Sequence, residues 1–357
     1  MRVFFPGHFS RVRLVRTPRR PLSRGPPAAA AQGISRLSLG LHRGHAPVPG
    51  GARLTRLPRD LGASIKARLR GLASERGEDA QLLLTQFVLE RLLHRLAASA
   101  YAGEFLLKGA MLFAAWTGGR HRATRDLDLS GRGTSEVPHL VQVFREVASL
   151  SVEPDGVVFD ASSVRAERIR EDQVYEGVRV TMVARLSTAR VGVQVDVGFG
   201  DAVHPAPEEL QYPSLLGLPT PRLRVYPREV VVAEKFHAMV SLGELNSRMK
   251  DFYDIQTLAE RFEFAGDRLA GAIAATFARR GTELPQVEPV ALRQEFANLR
   301  DKTAQWKAFV GRTRLVPGDM TLDEVVSRLH AFLWPVLKAA SGLAPMPHSW
   351  PAGGPWS

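Results

Sequence analysis

The sequence predicts an α+β protein in which a mixed β-sheet is flanked by helices and followed by a helical C-terminal half. Three patterns predict it. Between residues 157 and 199, Val, Ile and Thr alternate with polar residues, as on half-buried strands. Before and after that block, apolar residues recur at helical spacing. In between, Pro205, Pro207, Pro213, Pro219, Pro221 and Pro227 punctuate a stretch that suits neither a long helix nor a central strand.

Taken in order, the chain begins with an arm over 1–59 that holds twelve Arg and no Lys, Asp or Glu. The net charge of +12 therefore belongs to the arm, because the other 36 basic residues meet 36 acidic ones. Rich in Arg, Pro, Gly and Ala, the arm has too little apolar surface to fold and is expected to be disordered. A polycation for RNA phosphates, a transit peptide and a twin-arginine signal are alternatives. Pro and Gly interrupt any amphipathic helix, and no adequate apolar region follows Arg19-Arg20. The favoured reading is GC-rich coding sequence read from too early a start. With no cysteine, disulfides and thiolate metal sites are excluded, and no apolar run approaches membrane-spanning length. A cytoplasmic location is expected.

A first helix opens at Asp60, with Ile65, Leu69 and Leu72 inward. A stronger one covers 79–99, with Leu82, Leu83, Phe87, Val88, Leu92 and Leu96 on its inner face. The apolar 105–107 and the short buried helix over 111–116 meet at Lys108-Gly109. Residues 136–150 predict a helix covering the sheet, and strands are expected at 157–160, 163–170, 177–187 and 190–199. The helical half begins at 227–242 and continues at about 247, 266–280, 290–311 and 321–340. The predicted organisation is the arm over 1–59, a sheet domain with N-terminal helices over 60–215, a helical domain over 216–342 and a disordered tail over 343–357.

The chemistry centres on Asp126-Leu127-Asp128. On a strand both carboxylates project to one face. Two adjacent like charges raise each other's proton affinity, and a cation between them keeps both ionised. Mg²⁺ takes one or two carboxylates together with phosphate oxygens, which is what an Asp-x-Asp strand edge can offer. For a lone pair of this kind a solvent-facing strand would be the better explanation, and the surroundings change that. Upstream, Gly109 at a strand-to-helix junction would let backbone N–H groups approach a phosphate. In 190–201 the valines alternate and place Asp196 on the opposite face, where a neighbouring strand could bring it to the Asp126/Asp128 edge as a third carboxylate. Asp201, beyond two glycines, is expected in a loop.

Lys108-Gly109-Ala110-Met111 and Arg122-Ala123-Thr124-Arg125-Asp126-Leu127-Asp128 resemble the K-G-G-T and R-x-S-x-D-L-D motifs of AbiEii/AbiGii-type nucleotidyltransferase toxins, within the polymerase-β-like superfamily. Ala110 replaces a hydrogen-bonding residue, whereas Thr124 keeps a hydroxyl. The resemblance extends over about 60–340. Glu234-Lys235-Phe236 and Arg248-Met249-Lys250-Asp251-Phe252-Tyr253-Asp254 are similar to the family's E-K-x-x-A and R-x-K-D-x-x-D. It implies a nucleotidyltransferase-type sheet, with Asp126, Asp128 and Asp196 as catalytic metal ligands. Lys108, Gly109, Thr124 and Lys235 would serve the nucleotide phosphates, and Asp251 would be an acid/base or orienting residue. Taken alone, Lys235 reads as a surface lysine and Asp251 as a helix N-terminal acid. Asp254 is expected to pair with Arg248 or Lys250.

The expected function is NMP transfer from an NTP to an RNA acceptor, such as a tRNA 3′ end, by the toxin of a toxin–antitoxin (abortive-infection) system with a winged-helix antitoxin. A metal-dependent nuclease would share the acids but needs no phosphate cradle. A non-catalytic RNA-binding or regulatory protein would want a basic surface, which the neutral region after residue 59 does not predict.

Overall fold

Asp60 opens helix α1 (Leu61–Arg76) by accepting the Ala63 N–H at 2.8 Å, and Asp79 caps α2 (Ala80–Ala98) through Leu82 at 2.7 Å. Each acid satisfies an N–H that the first turn leaves without a partner. The structure is a computed structural model describing residues 60–118, 121, 122, 124–172, 175–313 and 320–357, without the side chains of 170–176. All of these residues belong to one compact unit. The arm expected over 1–59 lies outside them.

Strand β1 (Phe105–Lys108) is buried along its whole length and runs through Gly109 into α3 (Ala110–Thr117). β2 (Asp126–Gly131) carries the two aspartates, and α4 (Val137–Ser149) packs on the sheet. Three long strands follow, β3 (Val157–Asp172), β4 (Tyr175–Leu186) and β5 (Ala189–Phe199). The two strands expected over 157–170 are one, interrupted by a register shift between Asp160 and Arg165. Alternation explains which face is buried: Val191, Val193, Val195 and Val197 of β5 enter the core together with Val178, Val180, Met182 and Ala184 of β4.

The proline-punctuated stretch contributes two further strands, β6 (Glu208–Gln211) and β7 (Arg222–Val225). The sheet order is β3-β4-β5-β2-β1-β7-β6, with β2/β5 and β1/β7 parallel. The boundary expected at 215/216 thus falls inside the sheet. These strands escape the sequence because they are four residues long, too short for alternation to register, and the prolines flank rather than enter them.

The helical half comprises α5 (Arg228–Leu242), α6 (Met249–Arg261), the short β8 (Phe264–Ala265), α7 (Gly266–Arg279), α8 (Gln294–Asn298), α9 (Arg300–Thr313) and α10 (Leu322–Ala340). The single helix expected over 290–311 is instead a 3-10 turn, α8 and α9, divided at Arg293 and Leu299, whose backbones are extended. Between the breaks Phe296 stacks on Phe252 at 5.6 Å, an anchoring contact that helical periodicity does not encode.

The tail expected to be disordered over 343–357 is packed. β9 (Ser349–Trp350) pairs with β8, and the rings of Trp350 and Trp356 lie 5.0 and 5.8 Å from Phe332. Their indole N–H groups donate to the Ala259 and Phe332 carbonyls, each at 2.8 Å. Two aromatic anchors with satisfied polar ends outweigh a Pro/Gly-rich composition.

Candidate active site

Strand register brings three aspartates together. Asp128 is the cross-strand partner of Asp196, and Asp126 of Gln194, because β2 and β5 run parallel side by side. One oxygen from each of Asp126, Asp128 and Asp196 lies within 4.8 Å of the others. Opposite ligands of a single Mg²⁺ or Ca²⁺ are separated by roughly 4 to 5 Å, so the donor set fits one hard cation. Asp126 and Asp128 are half-buried, and Asp196 is buried.

Each carboxylate has a distinct supporting contact. Thr124, buried just ahead of β2, donates its hydroxyl to Asp126 at 2.6 Å. Gly109 sits against Asp128. Its φ of 74° is left-handed, and a Cβ there would overlap the Asp128 carboxylate, so only glycine brings the start of α3 this close. Asp196 accepts a bidentate pair from Arg179 of β4, both bonds at 2.8 Å, and a further bond from Gln194 at 3.1 Å. Arg179 was not singled out from sequence. Its signal is register: it stands directly opposite Asp196, and strand pairing is not visible in a single chain.

Lys235 and Asp251 fall in a second cluster. The Lys235 ammonium contacts Asp251 and Asp254, each at 2.8 Å, with its side chain only 12% exposed. It is therefore not a surface lysine. Arg248 donates to Asp251 at 2.6 Å, and Arg122 holds Asp254 through Nε and Nη2, both at 2.9 Å. His121 adds a 2.8 Å contact to Asp254. The pairing expected for Asp254 is thus reversed: Arg248 belongs to Asp251, and Asp254 belongs to Arg122, His121 and Lys235. Spacing along one helix suggested the first pairing, but Asp254 points away from that helix toward the segment preceding β2.

Burial alone would raise both carboxyls. The charges of Lys235 and Arg248 instead hold Asp251 below the usual range, while Lys235, Arg122 and the His121 contact hold Asp254 far below it. Burial likewise works against the Lys235 ammonium, and the two aspartates outweigh it. Lys250, at the start of α6, is pushed down by desolvation and by crowding from Arg122, Arg248 and Lys235, against the pull of Asp251. The Asp128 carboxylate also acts on the Arg122 charge, which links this cluster to the three aspartates.

Lys108 takes a different position. Its ammonium contacts Asp201 at 2.9 Å, and the Tyr226 hydroxyl donates to the same oxygen at 2.8 Å. Burial would raise the Asp201 carboxyl, but Lys108 and these bonds bring it down. Asp201 does follow β5 as an irregular residue, yet it fastens β1 to the residue after β7.

Among the described residues, no helix is long and apolar enough to cross a membrane. No curated protein matches the chain. Two crystal structures resemble it, each with a TM-score of 0.45 and 17% identity over 74% of this chain: JHP933 from Helicobacter pylori, 95% of whose length is covered, and a proposed nucleotidyltransferase from H. pylori, covered over 99%. A family model described as nucleotidyl transferase AbiEii toxin, type IV TA system, matches residues 91–328, and the chain belongs to that family.

Proposed function

We propose that this chain is a divalent-metal-dependent nucleotidyltransferase toxin that moves a nucleoside monophosphate from an NTP to an RNA 3′ hydroxyl, with tRNA as the acceptor to test first. One observation carries the reading: three carboxylates on adjacent strands converge within 4.8 Å beside a helix start opened by Gly109. A cytoplasmic location and a winged-helix antitoxin partner belong to the same reading.

In this mechanism Asp126, Asp128 and Asp196 would hold one or two Mg²⁺ ions, which would supply charge neutralisation at the triphosphate and a more acidic attacking hydroxyl. Thr124 fixes the Asp126 rotamer, and the backbone at Gly109 receives phosphate oxygens. Arg122, Lys235, Arg248 and Lys250 carry two more charges than Asp251 and Asp254 neutralise, and this surplus attracts the triphosphate. Asp251 orients Lys235. Lys108 reaches phosphate only by exchanging Asp201 for it. The 3′ oxygen bonds to the α-phosphorus in line as its proton passes to solvent and the bond to the bridging oxygen breaks, and pyrophosphate leaves.

The test is incubation of the protein with Mg²⁺, each labelled NTP and an RNA pool, followed by sequencing of RNA 3′ ends. Addition with one preferred NTP, lost in Asp126→Asn, is expected. Shortened RNA would instead indicate a nuclease, and unchanged RNA ends would defeat the transferase reading.

A further inference from the structure

The three aspartates divide the sheet into unlike halves. On the β1 side lie Gly109, the start of α3 and the cation cluster reached through Arg122. On the other side, β5, β4 and β3 bury one face in the core and leave the opposite face open. Strand register orders this open face into rows. Asp196, Arg179 and Glu167 form the row at the site; Gln194, Thr181 and Arg165 the next; Arg190, Arg185 and Val158 the outermost that these strands share. Between the last two, Gly192 offers no side chain, and a Cβ built there meets nothing within 4 Å.

Two features of this face call for an anion. Arg185 and Arg190 stand directly opposite each other across β4 and β5, and like charges so placed destabilise a sheet. Both are exposed. Over the whole face four arginines, at 165, 179, 185 and 190, stand against three acids, Asp160, Glu167 and Asp196, and Asp196 is already held by Arg179, so the excess charge lies at the Arg185/Arg190 end. The rows run about 20 Å from Asp196 to Arg190, at roughly 3.3 Å per residue. The second feature is Arg179. It already grips a carboxylate that the proposed metal would share, and its side chain is 35% exposed, so its outer edge faces the open side of the sheet. A cation arriving on Asp196 repels the guanidinium, which would then be shared between Glu167, directly opposite it on β3, and an anion lying on the open face.

We infer that the open face of β3, β4 and β5 is the platform for the acceptor strand, a single-stranded RNA 3′ end, with Arg185 and Arg190 holding backbone phosphates and Arg179 taking the phosphodiester next to the terminal hydroxyl. This rests on the transferase reading and adds a direction to it: nucleotide enters from the β1 side, acceptor from the β3 side. Arg179 then both holds Asp196 before the metal binds and engages the acceptor afterwards.

The experiment pairs Arg185→Glu/Arg190→Glu with Arg179→Gln in the full chain. Binding of a fluorescein-labelled single-stranded RNA oligonucleotide is followed by anisotropy over a salt series without NTP, so this readout does not depend on catalysis. For the double reversal, affinity should fall roughly tenfold or more, and the salt slope should drop by about 1 to 2. In transfer assays KM for RNA should rise in both variants while KM for NTP stays within about twofold. Calorimetry with Mn²⁺ should show Arg179→Gln binding metal more tightly than wild type, because the competing cation is gone. Should the double reversal lose its fold, Arg185→Gln/Arg190→Gln serves, with about half the change in slope.

Unchanged RNA affinity and slope in a wild-type-active background would overturn the platform and leave the transferase reading standing. A platform that binds RNA with the expected slope in a protein that adds no nucleotide would do the reverse. A rise in NTP KM in place of RNA KM puts Arg179 on the nucleotide side and defeats the assignment. So does weaker Mn²⁺ binding in Arg179→Gln, which reduces Arg179 to a support for Asp196. Loss of antitoxin binding with RNA affinity intact would make the face a protein-docking surface and sink the proposal.

Discussion

Two groups of aspartates sit side by side and solve opposite problems. Asp126, Asp128 and Asp196 crowd together, with the Arg179 guanidinium on Asp196, as three carboxylates around a cation-sized space. Asp251 and Asp254 are fully buried and each is matched, by Lys235, Arg248, Arg122 and His121. Removing a charge from the first group relieves repulsion, whereas removing one from the second strands cations in the interior. The same residue type thus predicts loss of function with stability kept in one place, and loss of stability in the other.

The largest effect tests that contrast directly. Asp254→Ala leaves Arg122 and Lys235 without their shared partner and should cost about 3 to 5 kcal/mol, the usual penalty for breaking a buried pair from one side. Denaturant unfolding of Asp126→Asn should by comparison stay within about 1 kcal/mol of wild type, with transfer abolished. If both variants lose stability equally, the two groups are alike and the distinction fails.

Gly109→Ala sharpens the comparison at the open group. A Cβ there meets the Asp128 carboxylate and occupies a left-handed conformation, so β2 or α3 must shift. The expected result is at least a hundredfold loss of transfer, since misplacement of about 1 Å is worth that much. Stability should fall by only about 1 to 3 kcal/mol, in the range of backbone strain. Wild-type transfer in this variant would remove the reason for a glycine at the start of α3.

A ligand separates the groups a third way. Mg²⁺ or Mn²⁺ at a hundred times its Kd should stabilise the wild-type protein by about 2.7 kcal/mol, seen as a rise in Tm. Asp128→Asn should lose that rise, and Asp201→Asn, outside the carboxylate triangle, should keep it. Equal stabilisation of wild type and Asp128→Asn would place the metal elsewhere.

The open group was readable in the sequence and the closed one only partly. Asp126 and Asp128 share a face because side chains alternate on any strand, and the valines around Asp196 give its face; that Asp196 joins the other two rests on the resemblance, since it depends on which strands are neighbours. Arg179 opposite Asp196 needs exactly that knowledge, as do the Arg185/Arg190 pair and the Lys108–Asp201 bond. Lys235 and Asp251 came from family resemblance, since alone each has an ordinary surface explanation. Asp254, which Lys235 also contacts, bonds Arg122 from more than a hundred positions away, and no local pattern records it. The fold divides the same way: long amphipathic helices and alternating strands were legible, whereas β6, β7 and the tryptophan-anchored tail depend on partners distant in sequence.

The smallest expected effect lies inside the closed group, and its sign is fixed by His121. The ring lies between Phe113, stacked at 4.1 Å, and Tyr253 at 5.1 Å; Nε2 meets Asp254, and Nδ1 has no partner among the described residues. Burial lowers its pKa most; Asp254 opposes, and Arg122 and Lys235 add to the lowering. The folded protein therefore holds His121 neutral under conditions where the unfolded chain, with a pKa of about 6.5, begins to protonate it. A group with a depressed folded pKa contributes stability that is present above the unfolded value and lost as pH falls. One such proton changes stability by at most about 1.4 kcal/mol per pH unit. Between pH 7 and the range where Asp251 and Asp254 take up protons, Tm should decline gently in the wild type. His121→Asn, which keeps a donor for Asp254 without a titrating ring, should flatten that decline while starting from a lower Tm. A variant as pH-sensitive as wild type over this interval would move the titration to another group and show that the cations around Asp254 do not keep His121 neutral.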